Sequence, residues 1–171
     1  GVINILRQMG AKISLTNEIE VGGEPVADIR VQYAKLVGIE IPESQVPLAI
    51  DEFPAIFIAA ACAQGETILT GAKELRVKES DRIQSMADGL NTLGIDAMAT
   101  ADGIRIVGGE IGSGRVLSHH DHRIAMAFAI AGLRAQGEII VEDCSNVATS
   151  FPDFIVCAAS VGLVINTETV N

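Results

Sequence analysis

This sequence predicts an α/β (α+β) domain assembled from a repeated helix–glycine–strand unit, and three observations carry the prediction. Of its 171 residues 49% are apolar, yet aromatics make up only 4% and Trp is absent, which describes an interior of Ala, Ile, Val and Leu rather than a disordered tail. Sliding the chain on itself by 72 residues sets Ala63-Gln64-Gly65-Glu66-Thr67-Ile68 on Ala135-Gln136-Gly137-Glu138-Ile139-Ile140, and Asp81 on Asp153. One helix ending recurs in Met9-Gly10-Ala11, Leu93-Gly94-Ile95 and Val161-Gly162-Leu163. Units of this kind need neighbours to cover their apolar faces, so a stack of about three is the economical arrangement.

The elements follow in order. Val2, Ile5, Leu6 and Met9 have helical spacing, in a chain that opens without Met and reads as a fragment starting inside an element. After Gly10 come two extended runs, Lys12–Val21 and Glu24–Gln32, joined by Gly22-Gly23 as a hairpin. Asp51 reads as an acidic cap and Pro54 as an early proline before a buried helix over Ala55–Ala63. A strand over Glu66–Thr70 leads through an irregular segment to a helix over Asp81–Leu93, then a strand or hairpin over Ile95–Val107. The third round predicts strand Arg115–Ser118, cap Asp121, helix Ile124–Ala135 and strand Gly137–Glu142. A helix opened by Phe151-Pro152-Asp153 runs to Val161 and is followed by strand Leu163–Asn166.

Charge and composition narrow the function. Twelve Lys and Arg against 22 Asp and Glu leave a net charge of -10, which repels a polyphosphate, so no nucleic-acid partner is expected. The uncharged stretches are shorter than the roughly 20 residues of a membrane span, so no membrane association is expected either. Cys62, Cys144 and Cys157 are odd in number and show no C-x-x-C, which suits a reducing, cytoplasmic setting.

Two predicted helix starts carry an Arg in the first turn, Asp81-Arg82 and Asp121-His122-Arg123. A cation there opposes the helix dipole at a cost of about 0.3–1 kcal/mol, and an anion lodged between the two ends would reverse the sign. A surface Arg paired with a neighbouring acid explains one such residue; two in equivalent positions favour an anion site. The run Lys78-Glu79-Ser80-Asp81-Arg82 is expected to meet the starts at Asp51 and Asp121, gathering carboxylates and cations on one face. Asp51 and Glu79 then form the natural pair for proton transfer. His119, His120 and His122 cannot all reach one ion from a single loop, so no metal is expected, and His122 is better read as an anion donor beside Arg123. Neither G-x-G-x-x-G nor a P-loop occurs, and no cofactor is expected.

Leu75-Arg76-Val77-Lys78-Glu79-Ser80-Asp81-Arg82, Asp121-His122-Arg123-Ile124-Ala125-Met126-Ala127 and Ser150-Phe151-Pro152-Asp153-Phe154 resemble the signature segments of 5-enolpyruvylshikimate-3-phosphate synthases. Asp51-Glu52-Phe53-Pro54 and Gly23-Glu24-Pro25-Val26-Ala27-Asp28 agree, in the right order. The resemblance implies an inside-out, barrel-like fold of repeated βαβαββ units, helices inside and sheets outside, with residues 1–171 forming a single, incomplete domain of a two-domain enzyme. It implies transfer of the enolpyruvyl group of phosphoenolpyruvate to the 5-hydroxyl of shikimate 3-phosphate through a tetrahedral intermediate, without a metal. Carried onto this chain, Asp51 would bind shikimate 3-phosphate and take the hydroxyl proton, and Glu79 would handle the methylene proton. Lys78 would contact shikimate 3-phosphate, while Arg82 and Arg123, with His122 nearby, would clamp phosphoenolpyruvate. Some family members have Lys where Thr149 stands and Asn where Glu74 stands; other branches lack both. The partner domain would supply a further Lys and Arg, so the chain alone is expected to turn over little or nothing. Two alternatives are the related UDP-N-acetylglucosamine enolpyruvyl transferase and a non-catalytic module binding an anion or a partner.

Overall fold

The repeat is visible in the backbone at each helix–strand junction of the computed structural model, which describes residues 1–168. Helix α1 (Val2–Gln8), helix α3 (Arg82–Thr92) and helix α6 (Phe154–Ser160) end on Gly10, Gly94 and Gly162, whose φ angles are +95°, +83° and +92°. Each glycine amide donates three residues back, and the amide after it donates to the carbonyl five before the glycine's successor. The second bond runs Ala11 to Leu6, Ile95 to Leu90 and Leu163 to Ala158, at 2.9, 3.0 and 3.1 Å. This left-handed cap turns the chain out of the helix with its last carbonyls satisfied, which a residue with a Cβ adopts only under strain.

Strands β1 (Lys12–Val21) and β2 (Glu24–Gln32) form the expected antiparallel hairpin, with a register shift between Thr16 and Ile19. Helix α2 (Phe53–Ala61) then precedes strand β3 (Glu66–Leu69); α3 is followed by strands β4 (Asp96–Thr100) and β5 (Gly103–Val107). The antiparallel order is β3-β5-β4, and residues 37–40 run parallel to β3 through the Val37–Gln64 and Glu40–Ile68 bridges. Residues 37–107 thus contain one βαβαββ unit. Strand β6 (Gly114–Leu117), helix α4 (His122–Ala131) and the parallel strand β7 (Ile139–Glu142) begin the next, followed by the short helix α5 (Val147–Ser150) and α6.

The helices lie inside. Phe53, Pro54, Ile56, Phe57, Ile58, Ala60 and Ala61 of α2 are all buried, as are Ile83, Met86 and Leu90 of α3 and Ile124 and Phe128 of α4. α2 is apolar on every side, so sheets must cover most of it, whereas α3 keeps a polar solvent face at Gln84 and Asp88. Gly89 brings α3 close to α4: a Cβ there would fall 2.2 Å from the Phe128 ring. Among the described residues no helix is long and apolar enough to cross a membrane.

Several expectations need correction. No strand forms over Leu163–Asn166, because no neighbouring strand lies beside it among the described residues. The helix expected to reach Ala135 ends at Ala131, where Gly132 begins a turn, and the one expected over Ala55–Ala63 runs two residues earlier. Asp51 caps nothing: the residue before α2 is Glu52, and neither supplies a side-chain cap bond. The short α5 and the 3-10 turns Glu43–Gln45 and Lys73–Val77 carry too little periodicity to be read from sequence.

Candidate active site

The first turn of α3 holds a buried cation. Asp81 caps the helix by accepting from the Gln84 amide at 3.0 Å, which turns Arg82 inward until it is 1% exposed. Its Nε donates to Oδ2 of Asp121 at 2.8 Å and its Nη1 to Oδ1 of Asp51 at 3.1 Å. Nη2 donates to Oε2 of Glu79 at 2.5 Å, with Oδ1 of Asp121 at 3.5 Å. Asp121 is itself fully buried, and it also accepts from the Ser80 hydroxyl and from the Arg123 and Ile124 amides, at 3.1, 2.9 and 3.4 Å. A buried ion pair is tolerated only when its remaining donors and acceptors are met in this way.

Asp51 sits above this floor, partly open to solvent. Besides Arg82, it has the Lys78 ammonium at 3.5 Å and Nη2 of Arg123 at 3.9 Å, and its own carbonyl accepts from Nη1 of Arg123 at 3.0 Å. Asp51 and Arg123 are 72 residues apart, so equivalent positions of consecutive units meet here. Lys78 is held more closely by Glu74, at 2.5 Å, and Arg123 has Glu52 at 3.9 Å.

These charges set the protonation states. Burial pushes the Asp51 carboxyl up, but Arg123, Lys78 and Arg82 together outweigh it and hold it below its ordinary value of 3.8. Burial likewise raises Asp121, and the bonds from Arg82 overcome it, so this carboxyl is also depressed. The Lys78 ammonium is raised above 10.5, first by its bond to Glu74, which together with the nearby Asp51 outweighs the lowering by burial. The cations Lys78, Arg82 and Arg123 face the carboxylates of Asp51, Glu52, Glu74, Glu79 and Asp121, so the cluster carries an excess of negative charge.

The structure brings together Asp51, Lys78, Glu79, Arg82 and Arg123. His122 opens α4 beside Arg123, but its ring makes no hydrogen bond among the described residues. The helix-end argument for an anion at Arg82 needs revision in one respect: three of the protein's own carboxylates already offset that charge. Asp121 looked like a plain cap, and its second duty as the buried partner of Arg82 has no sequence signal, because the two residues are 39 positions apart. Glu74, noted in the sequence only as a position where the family varies, joins the cluster as the partner of Lys78 four residues on. His119 and His120 occupy left-handed backbone at φ +52° and +56°, and the Asn146 amide donates to the His120 carbonyl. Among the described residues no three His, Cys, Asp or Glu are grouped to hold a metal.

Chemically, the arrangement offers two solvent-facing carboxylates, Asp51 and Glu79, pinned to the two terminal nitrogens of one buried guanidinium, with Lys78 and Arg123 beside them. Such a site can take and give protons next to a bound anion.

Residues 1–156 match the family model described as EPSP synthase (3-phosphoshikimate 1-carboxyvinyltransferase). The chain is 66% identical over 163 residues to the 3-phosphoshikimate 1-carboxyvinyltransferase of Methylococcus capsulatus, covering 95% of itself and 37% of that protein. It is also 66% identical over 165 residues to that of Nitrosococcus oceani, covering 96% of itself and 37% of the relative. The chain therefore spans a little over a third of the length of these relatives. EPSP synthase from Acinetobacter baumannii superposes with a TM-score of 0.95 at 56% identity, over 98% of this chain and 40% of that one. The enolpyruvyl transferase NikO from Streptomyces tendae, 19% identical, shares the fold at a TM-score of 0.66, over 99% of this chain and 36% of that one. The inside-out arrangement of helices and sheets is thus common to both structures, though the sheets of this segment do not close. On these grounds the chain belongs to the EPSP synthase (3-phosphoshikimate 1-carboxyvinyltransferase) family.

Proposed function

We propose that the chain is the larger part of the C-terminal-side domain of an enzyme that moves the carboxyvinyl group of phosphoenolpyruvate to the 5-hydroxyl of shikimate 3-phosphate. The observation that carries the reading is the convergence of Asp51, Lys78, Glu79 and Arg123 on the buried Arg82, which membership of the family supports. Asp51 takes the hydroxyl proton as the oxygen attacks C2 of phosphoenolpyruvate, and Glu79 relays a proton from solvent to C3, giving a tetrahedral phosphate adduct. Glu79 then removes a proton from the new methyl group, the bond to phosphate breaks, the double bond re-forms, and the proton on Asp51 leaves with the phosphate. Asp51 is a weak base in the free site because cations surround it. Anionic substrates lodging on Lys78 and Arg123 offset those cations and exclude water, which raises its basicity when the proton has to move.

The negative excess of the cluster supports a second point. Three cations facing five carboxylates leave little to hold two multiply charged substrates, so further positive groups come from the domain across the cleft, and this segment alone turns over little or nothing. A cytoplasmic location without nucleic-acid or membrane partners accords with the charge of -10 and with free thiols at Cys62, Cys144 and Cys157.

The test is phosphate release by the complete enzyme, wild type and Glu79→Gln, with shikimate 3-phosphate binding measured alongside. The variant is expected to lose about 10²-fold or more in kcat while keeping the ligand. Turnover at the wild-type rate removes Glu79 from the chemistry. Protection of the enzyme by a UDP-sugar, and not by shikimate 3-phosphate, moves the assignment to the related sugar-nucleotide transferase.

A further inference from the structure

Lys78 is shared unequally. Its Nζ lies 2.5 Å from Oε1 of Glu74 and 3.5 Å from Oδ1 of Asp51, so the exposed carboxylate has the closer hold. Glu74 is not a wandering surface charge, because the two residues that follow it are fixed. Leu75 is fully buried, and Arg76 donates to the Ala101 carbonyl at 3.0 Å and to Asp81 at 2.6 Å. The 3-10 turn Lys73–Val77 therefore presents Glu74 toward Lys78.

A phosphate monoester approaching Lys78 meets this carboxylate first. Both want the same ammonium, and two anions on one cation repel. We infer that Glu74 is a specificity-determining counter-ion, which holds Lys78 in the free site and must be displaced from it by the phosphate monoester of the acceptor substrate. The inference rests on the function proposed above, which makes Lys78 a contact of the phosphorylated acceptor. Displacement costs what the Glu74–Lys78 pair is worth, so an acceptor without a strong dianion at that point claims the lysine less readily. Glu74 also keeps Lys78 from closing on Asp51, leaving that carboxylate accessible to the hydroxyl it serves.

The experiment uses the complete enzyme with Glu74→Gln, in both the wild-type and the Lys78→Met backgrounds, and shikimate 3-phosphate as the probe. An exposed ion pair of this kind is weak, so Glu74→Gln is expected to tighten acceptor binding up to about fivefold. The KM for phosphoenolpyruvate is expected to stay as it was, and the tightening to vanish in the Lys78→Met background. Unchanged or weaker acceptor binding by Glu74→Gln, with the wild type binding normally, overturns the inference and leaves the proposed function standing. An equal gain without Lys78 also overturns it, since the effect would then be a general change of charge. Failure of the wild type itself to bind the acceptor removes the proposed function and this inference together. Glu74→Ala provides a second variant should the glutamine protein melt early.

Discussion

Removing the Asp121 carboxylate tests the floor of the site. Asp121→Ala takes away the fully buried partner of a guanidinium that is 1% exposed and strips α4 of its cap. Breaking a buried ion pair from one side costs about 3–5 kcal/mol, and losing a cap about 1 kcal/mol. Arg82 keeps Asp51 and Glu79, so the lower end of the first range applies and the total is about 4 kcal/mol. That is a large part of the roughly 5–15 kcal/mol that holds a domain together. Urea unfolding of the chain, followed by circular dichroism, measures it. The paired change Arg82→Met with Asp121→Leu is expected to cost less than the sum of its parts, since each single change strands a charge that the double change removes. Acidification supplies an independent check. Burial raises the Asp121 carboxyl but Arg82 holds it below 3.8, so its stabilisation is complete above the unfolded value and fades as pH falls through the lower folded one. Asp121→Asn is expected to flatten that acid limb. A cost below about 1 kcal/mol for Asp121→Ala, or strict additivity in the pair, would refute the reasoning.

Three further outcomes are expected. Gly89→Ala sets a Cβ 2.2 Å from the fully buried Phe128 ring, so overpacking of about 1–3 kcal/mol outweighs the gain in helix propensity and lowers the melting temperature; a variant as stable as wild type contradicts that crossing. Asp51→Asn in the complete enzyme is expected to cut kcat about 10²- to 10⁴-fold and shift stability by under about 1 kcal/mol, because the side chain is partly open; retained kcat would exclude it as the base. Ile29 and Val31 lie exposed on one face of β2, so the chain on its own is expected to self-associate and the Ile29→Lys, Val31→Lys double variant to sediment as a monomer; identical sedimentation of the two would show that this face is not the cause.

Much of the architecture could be read from local spacing. The hairpin strands Lys12–Val21 and Glu24–Gln32 match their predicted limits, because alternation and the Gly22-Gly23 turn are properties of adjacent residues. The glycine junctions after α1, α3 and α6 were legible for the same reason: a left-handed cap needs glycine wherever it occurs. The strand expected over Leu163–Asn166 shows the limit, since a strand exists only with a partner and its own residues do not contain one.

The site divides along the same line. Which residues carry charge at the helix starts was evident from Asp81-Arg82 and Asp121-His122-Arg123. Which carboxylate answers which cation was decided only when α2, α3 and α4 met in three dimensions. Electrostatic pairing depends on distance through space and on how much water is excluded, and neither quantity is a function of sequence separation. Hence Asp121 became the buried partner of Arg82 and Glu74 the near neighbour of Lys78, while His122, spelled into the same motif, stayed outside the bonded cluster.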